Sequence, residues 1–333
     1  MLPQTCGLMA VVKADGYGHG AAQVGLACAD EGVASFAVAT VAEGAHLRRS
    51  GVTGDILVLG RAFPEEFRAA YAHDLILTAA DRAHALELAR CPHPLRVHAA
   101  VDTGMARLGL DWSDTDGVQA LYGALRTEGL YTHLCAPADR EFTALQLRRF
   151  FTLAGELRKR GVDPGVLHTQ ASAGVLCWPG LPCGLARPGL ALYGVCPQGC
   201  PDPGLRPALA LKCRVASLHT LAPGDTAGYD RAFTAQRPTT LAALSMGYAD
   251  GLPRSLSHGA GSVLVHGQPA PIAGLVCMDQ TLVDVTGIEG VSPGDEATVI
   301  GPGLDAATVA AAAGTIPNEL LAGLGARVER IYR

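Results

Sequence analysis

Lysine is scarce in this 333-residue sequence: of its 26 basic residues, only Lys13, Lys159 and Lys212 are lysine. Lys159 falls in a basic helix end and Lys212 in a run with polar residues at every second position, so both are predicted to lie on the surface. Lys13 instead ends an apolar run, so we expect its amine to be half-buried and its pKa to be lowered by desolvation. Such an amine is suited to forming a Schiff base; a lysine that simply reaches solvent from a strand end is the plainer alternative.

Other features are also missing, and each absence excludes a class of protein. No apolar run reaches membrane-spanning length, and the chain does not open with the charged and then apolar segments of a signal peptide. A net charge of −5 and a pI near 6.1 leave no basic surface for nucleic acid. We therefore expect a cytoplasmic protein that binds neither membranes nor nucleic acid.

Cysteine, in contrast, is abundant, with 10 residues. Most of these cysteines lie inside apolar patterns, which is typical of small buried hydrophobic side chains. This group includes Cys28, Cys135, Cys213 and Cys277. The one close pair, Cys196 and Cys200, has no matching histidine or cysteine cluster. We therefore expect a reduced chain without a metal site.

Up to about residue 194, short apolar segments alternate with longer amphipathic ones. The predicted strands cover residues 9–13, 35–40, 55–60, 75–79, 95–101, 130–135, 166–170 and 186–192. Predicted helices cover residues 21–31, 41–49, 63–73, 82–90 and 141–160, with a further one opened by Asp114 or Asp116. Pro64 is tolerated near a helix start, and Asp81 is suited to cap the next helix. Eight strands with mostly helical connections predict an α/β fold, a (β/α)8 TIM barrel.

After a Pro/Gly-rich linker, short β-type runs bounded by turns predict a mostly antiparallel β domain. These runs cover residues 213–218, 239–244, 262–265, 271–277, 281–285 and 297–300, with a helical insertion near 306–313. We place the barrel at residues 1–200 and the β domain at 201–333. The first strand begins almost at residue 1 and no helix follows the last strand, so the barrel lacks the usual N-terminal segment over its seam. Either that segment lies upstream or a neighbouring chain covers the seam.

Catalytic residues of such barrels gather at the carboxyl ends of the strands, and the sequence places a distinctive polar set there. The set comprises Lys13, Tyr17, Arg107, His133, His168, Ser172, Arg187 and Gly189. An amine for an aldehyde, hydroxyl and amide donors for a phosphate, and an imidazole against a ring suit pyridoxal 5′-phosphate. Plainer interpretations exist: His133 as a core histidine, Ser172 as a helix start, Gly189 as part of a tight turn, Tyr17 as packing.

Five motifs, in order along nearly the whole chain, closely resemble those of alanine racemases. They are residues 11–20 (VVKADGYGHG), 101–109 (VDTGMARLG), 186–194 (ARPGLALYG), 247–251 (GYADG) and 277–280 (CMDQ). That family has a pyridoxal-phosphate barrel followed by a β domain and works as a head-to-tail dimer. The resemblance therefore implies a homodimer with shared active sites that interconverts the L and D forms of a small amino acid, alanine, serine or both.

The resemblance also implies a role for each matching residue. Lys13 would hold the cofactor and act as one catalytic base, and Tyr229 from the partner's β domain would be the second. Arg187 would face the ring nitrogen, and Arg107 would position the substrate carboxylate or the base. The remaining cofactor contacts would come from Tyr17, His133, Ser172, Gly189, Leu190 and Asn318. Further substrate contacts would come from Met278, Tyr248 and Asn318.

Three positions depart from the family pattern. Asn318 stands where a phosphate-contacting tyrosine is usual; with residues 168–172 it resembles the serine/alanine racemase branch associated with vancomycin resistance. An amide there offers hydrogen bonds to a substrate hydroxyl, although drift at a tolerant contact is the alternative. Ala100 replaces a lysine that is often carbamylated and braces the arginine, so Arg107 is expected to be held less firmly. Asp230 follows Tyr229 where glycine is usual.

The short N-terminus, Ala100 and Asp230 motivate a second hypothesis, a homologue that binds the cofactor but is catalytically impaired or non-catalytic. Related barrel decarboxylases are disfavoured, because Tyr229 and the motif at residues 277–280 match the racemase pattern. A cofactor-free lysine aldolase barrel is weaker still, since it needs no second β domain.

Overall fold

The computed structural model describes residues 2–3 and 5–333, and the chain divides into two compact units. One unit ends at Leu205 and the other spans Arg206–Arg333. Within the described residues, no helix has both the length and the apolar character that crossing a membrane requires.

The first unit is built on eight parallel strands, β1 to β8 in chain order. They span Gly7–Val11, Ser35–Val38, Asp55–Val58, Leu75–Ala79, Arg96–Asp102, Arg126–Tyr131, Val166–His168 and Leu185–Ala186. Each strand from β1 to β6 pairs with the next, and β8 pairs in parallel with β1. Between β7 and β8, the Gly184 N–H donates to the Leu167 carbonyl at 2.8 Å, and Ala171 and Arg187 form a parallel bridge. The sheet is thus a nearly closed barrel, which confirms the predicted (β/α)8 architecture.

In the part of the first unit that the structure describes, seven right-handed α-helices, α1 to α7, accompany these strands. They span Ala21–Asp30, Val41–Arg49, Pro64–Ala72, Arg82–Ala89, Thr115–Ala124, Arg140–Lys159 and Ser172–Cys177. The Asp81 side chain accepts the His84 N–H at the start of α4, as predicted, and Pro64 occupies the first turn of α3, where its missing N–H costs nothing.

Successive side chains along a barrel strand belong alternately to two different apolar layers. In β2, Phe36 and Val38 pack with the helices, whereas Ala37 joins Met9 and Leu57 in a separate buried cluster. Side chains on a strand point alternately to its two faces, so the second cluster lies on the face turned away from the helices, inside the barrel. The filled interior confines the polar strand ends to the rim.

Two strand predictions are wrong in their bounds. β6 covers Arg126–Tyr131 rather than residues 130–135, so His133 lies in the loop beyond it. β8 covers only Leu185–Ala186, because Pro188 has no N–H to donate and Leu190–Tyr193 forms a 3₁₀ helix that ends at the left-handed Gly194.

The expectation of a fully reduced chain is also wrong. Cys6 and Cys183 form a disulfide, with Cα atoms 5.3 Å apart. It joins the residue before β1 to the loop before β8, across the seam of the barrel. Cys135, expected to be buried, is exposed.

The second unit contains the predicted antiparallel sheet. Its strands, β9 to β16, span Leu211–Leu221, Thr226–Ala227, Phe233–Thr234, Thr239–Leu244, Ser262–Val265, Gln268–Pro271, Thr281–Asp284 and Glu296–Ile300. Six of them form a sheet in the order β14-β13-β16-β9-β12-β15, and β10 pairs with β11 in a separate hairpin. The helix predicted near residues 306–313 is α8, Ala306–Ala312, and α9 follows at Pro317–Ala322. The strand predicted at 271–277 is absent because Gly274 turns the chain with a positive φ of 71°.

Candidate active site

Lys13 stands just beyond the carboxyl end of β1, and its side chain is half-buried as predicted. Burial lowers the pKa of the Lys13 amine, and the positive charge of Arg107 lowers it further, against the opposing effect of the Glu43 carboxylate. A lowered pKa makes more of the neutral, nucleophilic amine available near neutral pH. This is the electrostatic environment that a lysine needs to bond covalently to an aldehyde.

Tyr17, Ser172 and Gly189 come together next to this strand end. The Ser172 Oγ accepts the N–H groups of Gly189 at 2.9 Å and Ala191 at 3.1 Å. A Cβ on Gly189 would lie 2.4 Å from the Tyr17 hydroxyl oxygen, so a larger residue there would require the Tyr17 side chain to shift. Burial raises the pKa of Tyr17, which keeps its hydroxyl a hydrogen-bond donor. The Tyr17 and Ser172 hydroxyls suit a phosphate group, and Leu190, between Gly189 and Ala191, is buried.

Arg187 follows β8 and is buried. One guanidinium nitrogen lies 2.8 Å from Nδ1 of His168, the other donates to the Thr132 carbonyl at 2.7 Å, and the guanidinium lies 5.1 Å from the centre of the Tyr131 ring. Burial lowers the pKa of Arg187 to about 10, so the side chain is still a cation at neutral pH. The fixed cation can face a ring nitrogen without giving it a proton.

His133 is half-buried beyond β6 and lies near three cations. Burial lowers the pKa of His133 to about 3, and the charges of Arg187, Arg107 and Lys13 act in the same direction. All three cations therefore disfavour the protonated form of the His133 imidazole. The imidazole there is neutral and suited to lying against an aromatic ring.

Two residues that position this rim were missed at the sequence level. The buried Gln146 of α6 donates to the His133 carbonyl and to Thr103 Oγ1, both at 3.1 Å, and accepts the Cys135 N–H at 3.1 Å. Asp102 Oδ1 accepts three successive N–H groups, from residues 104 to 106, and so fixes the loop that leads to Arg107. A single amide in the apolar face of a long helix was the only available signal for Gln146.

Arg107 itself is exposed, and within the described residues no carboxylate lies at ion-pair distance from it. Ala100, on β5, is buried and has no functional group to brace an arginine. That Arg107 is held less firmly than a braced arginine stays a prediction.

The remaining predicted residues lie in the second unit. Tyr229 stands at the tip of the β10–β11 hairpin with 69% of its surface exposed, next to Asp230 in a left-handed conformation (φ 56°). A left-handed backbone there accounts for the glycine that is usual at this position. Tyr248 and Met278 are brought together, because Tyr248 N–H donates to the Cys277 carbonyl and the next N–H to that of Met278. Asn318 is half-buried in the first turn of α9.

Comparisons with known proteins agree along the whole chain. Residues 1–197 match the model of the alanine racemase N-terminal domain, and residues 208–332 match that of the C-terminal domain. The alanine racemase of Geobacter sp. strain M21 is 39% identical over 353 residues, covering 99% of this chain and 93% of that protein. The structure of an alanine racemase from Clostridium difficile 630 aligns with a TM-score of 0.94 at 29% identity, covering 100% of this chain and 90% of that one. A Bartonella henselae alanine racemase with covalently bound pyridoxal phosphate aligns with a TM-score of 0.89 at 28% identity, covering 98% and 93% of the two chains.

Proposed function

This chain belongs to the alanine racemase family, and on that premise we propose that it interconverts L- and D-alanine with pyridoxal 5′-phosphate as its cofactor. The observation that carries the proposal is the half-buried Lys13, with its lowered pKa, near the close contact of Gly189 with Tyr17 and near the buried Arg187. An amine, a phosphate site and a cation for the ring nitrogen on one rim are what this cofactor requires.

The residues of the barrel fit the cofactor. Lys13 would hold its aldehyde carbon, and Tyr17, Ser172, Gly189 and Leu190 would hold its phosphate. When bound, the cofactor withdraws electrons from the substrate Cα and so makes its proton removable. The neutral His133 would lie against the ring, and Arg187 would face its nitrogen. Because Arg187 does not give up its proton, it would leave the ring nitrogen unprotonated, which would limit side reactions such as transamination.

Racemisation needs a proton removed from one face of Cα and returned on the other, so two acid–base groups must flank it. We assign Lys13 to one face and Tyr229 to the other. Arg107 would bind the substrate carboxylate, and Met278 and Tyr248 would line its approach.

We further propose that the chain forms a head-to-tail homodimer. Each active site would then combine residues 1–200 of one subunit with residues 201–333 of its partner. The support is the exposure of the second-unit residues assigned to the site: Tyr229, Tyr248 and Met278 are all large hydrophobic residues that lie exposed. An exposed aromatic base gains a dry environment only when another surface covers it. A shared site would give the chain a reason to dimerise.

A chiral assay tests the activity. Purified protein with added cofactor is expected to convert L-alanine and D-alanine into the same equimolar mixture, and Lys13→Ala is expected to abolish both directions. Cofactor that binds without any racemisation would contradict the proposal and identify an impaired homologue. Serine in the same assay, at equal concentration, measures substrate preference.

A further inference from the structure

Glu43 joins the ends of two barrel strands. It is the third residue of α2, and its Oε2 accepts the N–H groups of Ala39 at 2.7 Å and Thr40 at 3.3 Å, just beyond β2. Its Oε1 reaches in the other direction and accepts the Ala14 N–H at 2.8 Å. Ala14 directly follows Lys13, so one carboxylate links the exit of β2 to the peptide that leaves Lys13.

That peptide has an unusual backbone. Ala14, Asp15, Gly16 and Tyr17 form a left-handed turn with φ between 52° and 62°. Three of the four are not glycine, and a side chain crowds the following carbonyl in this conformation. Such a turn persists only where surrounding contacts hold it. The Val12 carbonyl accepts the Gly16 N–H inside the turn, whereas Glu43 holds its first N–H from a different helix.

We propose that Glu43 is a positioning residue that sets the direction in which the Lys13 side chain leaves β1. The proposal rests on the proposed function, because it concerns how Lys13 meets the cofactor. Glu43 needs both of its oxygens, since each faces N–H groups from a different strand end. A glutamine supplies only one acceptor, and its amide N–H₂ meets the other N–H groups unfavourably.

The next helix supplies a matched control. Glu66 is the third residue of α3 and accepts the N–H of its N-cap residue, Phe63, at 2.9 Å. Glu66 therefore closes its helix start as Glu43 does, and both side chains are half-buried. Only Glu43 also reaches the turn after Lys13. Substituting each glutamate separates the cost of a lost helix start from the loss of Lys13 positioning.

The experiment compares wild type with Glu43→Ala, Glu43→Gln and Glu66→Ala. Each protein is incubated with pyridoxal 5′-phosphate and reduced with borohydride, and the fraction of Lys13 carrying the cofactor is read by peptide mass spectrometry. The dissociation constant of the cofactor, kcat, KM and the melting temperature are measured in parallel. A double variant, Glu43→Ala with Ala14→Gly, tests the turn directly, because glycine adopts the left-handed conformation freely.

We expect Glu43→Ala to lower cofactor incorporation and kcat by roughly tenfold or more, because small misplacements of a reacting group are costly. Glu43→Gln should follow in the same direction, and Ala14→Gly should restore part of the loss. Glu66→Ala should keep both values within about twofold of wild type while it melts at a similarly lowered temperature. Wild-type incorporation in Glu43→Ala, or equal losses in both alanine variants, would overturn the proposal. If Glu43→Ala does not fold, Glu43→Gln decides between these outcomes. A wild-type protein that incorporates no cofactor at Lys13 would instead overturn the proposed function.

Discussion

The guanidinium of Arg187 and the imidazole of His168 are joined inside the barrel, with an Arg187 nitrogen 2.8 Å from His168 Nδ1. Both side chains are buried, and burial keeps the pKa of His168 well below its usual value, so the imidazole is a neutral acceptor for the cation. His168 therefore helps to hold the Arg187 guanidinium, which we propose faces the ring nitrogen of the cofactor.

Removing the His168 acceptor should destabilise the folded protein. His168→Leu leaves a buried guanidinium N–H without a partner, and we expect the free energy of unfolding to fall by about 1–3 kcal/mol. His168→Asn is the control, because its amide oxygen takes the place of Nδ1 and should recover part of the loss. Urea unfolding of the cofactor-free proteins measures both values. Equal destabilisation by leucine and asparagine would show that the hydrogen bond does not matter.

The buried His98 should make the stability of the barrel sensitive to acid. Its Nδ1 lies 3.0 Å from Nε2 of His168, and burial lowers the pKa of His98 to about 4, whereas in the unfolded chain it is about 6.5. At a pH between these two values, His98 therefore binds a proton in the unfolded state but not in the folded state. The stability that His98 contributes is complete above about pH 6.5 and is lost as the pH falls toward 4.

Replacing His98 with asparagine should remove one proton from this linkage. Between about pH 6 and pH 4.5, the unfolding free energy of wild type should fall more steeply than that of His98→Asn, by up to about 1.4 kcal/mol per pH unit. The exposed His46, replaced by asparagine, serves as the control and should leave the slope unchanged. Parallel slopes for wild type and His98→Asn would contradict the assignment.

The Cys6–Cys183 disulfide should stabilise the barrel seam. The two cysteines are 177 residues apart, so the bond restrains a very long loop of the unfolded chain. We expect the double variant Cys6→Ser, Cys183→Ser to lose about 2–4 kcal/mol of unfolding free energy. Wild type should show 8 free thiols in denaturant and 10 after reduction. Reductant should destabilise wild type but not the double variant; 10 thiols without reductant would exclude the bond.

Asn318 is predicted to affect the choice between alanine and serine. It lies half-buried in the first turn of α9, and its amide offers a donor and an acceptor that we expect to hydrogen-bond a substrate hydroxyl. Asn318→Tyr should lower kcat/KM for serine relative to alanine by about 10-fold, the effect of losing one such hydrogen bond. Competition assays with both amino acids measure the ratio directly, and an unchanged ratio would remove Asn318 from substrate selection.

The parts of this molecule that could be predicted are those that local patterns determine. Apolar runs located the strands, Asp81 and Pro64 located helix starts, and the isolation of Lys13 at the end of an apolar run predicted its half-buried amine. The bonds of Gln146 and Glu43 were not predictable, because each reaches backbone N–H or carbonyl groups of loops distant along the chain. A sequence motif reveals the reacting residue, but it does not as readily reveal the residues that hold the reacting residue in place.

The disulfide illustrates the same limit. Neither Cys6 nor Cys183 belongs to a motif, and their pairing follows only from closing the barrel, which brings β8 beside β1. The apolar patterns around the cysteines predict a reduced chain, whereas the tertiary geometry brings Cys6 and Cys183 within bonding distance.

The central claim is that Lys13 of one subunit and Tyr229 of another form a single active site. Mixing equal amounts of the inactive variants Lys13→Ala and Tyr229→Phe, under conditions that allow subunits to exchange, tests this directly. Half of the dimers become mixed, and each mixed dimer holds one intact site, so alanine racemisation should recover to about a quarter of the wild-type rate. Activity that stays at the level of the separate variants, although mixed dimers form, would contradict the account.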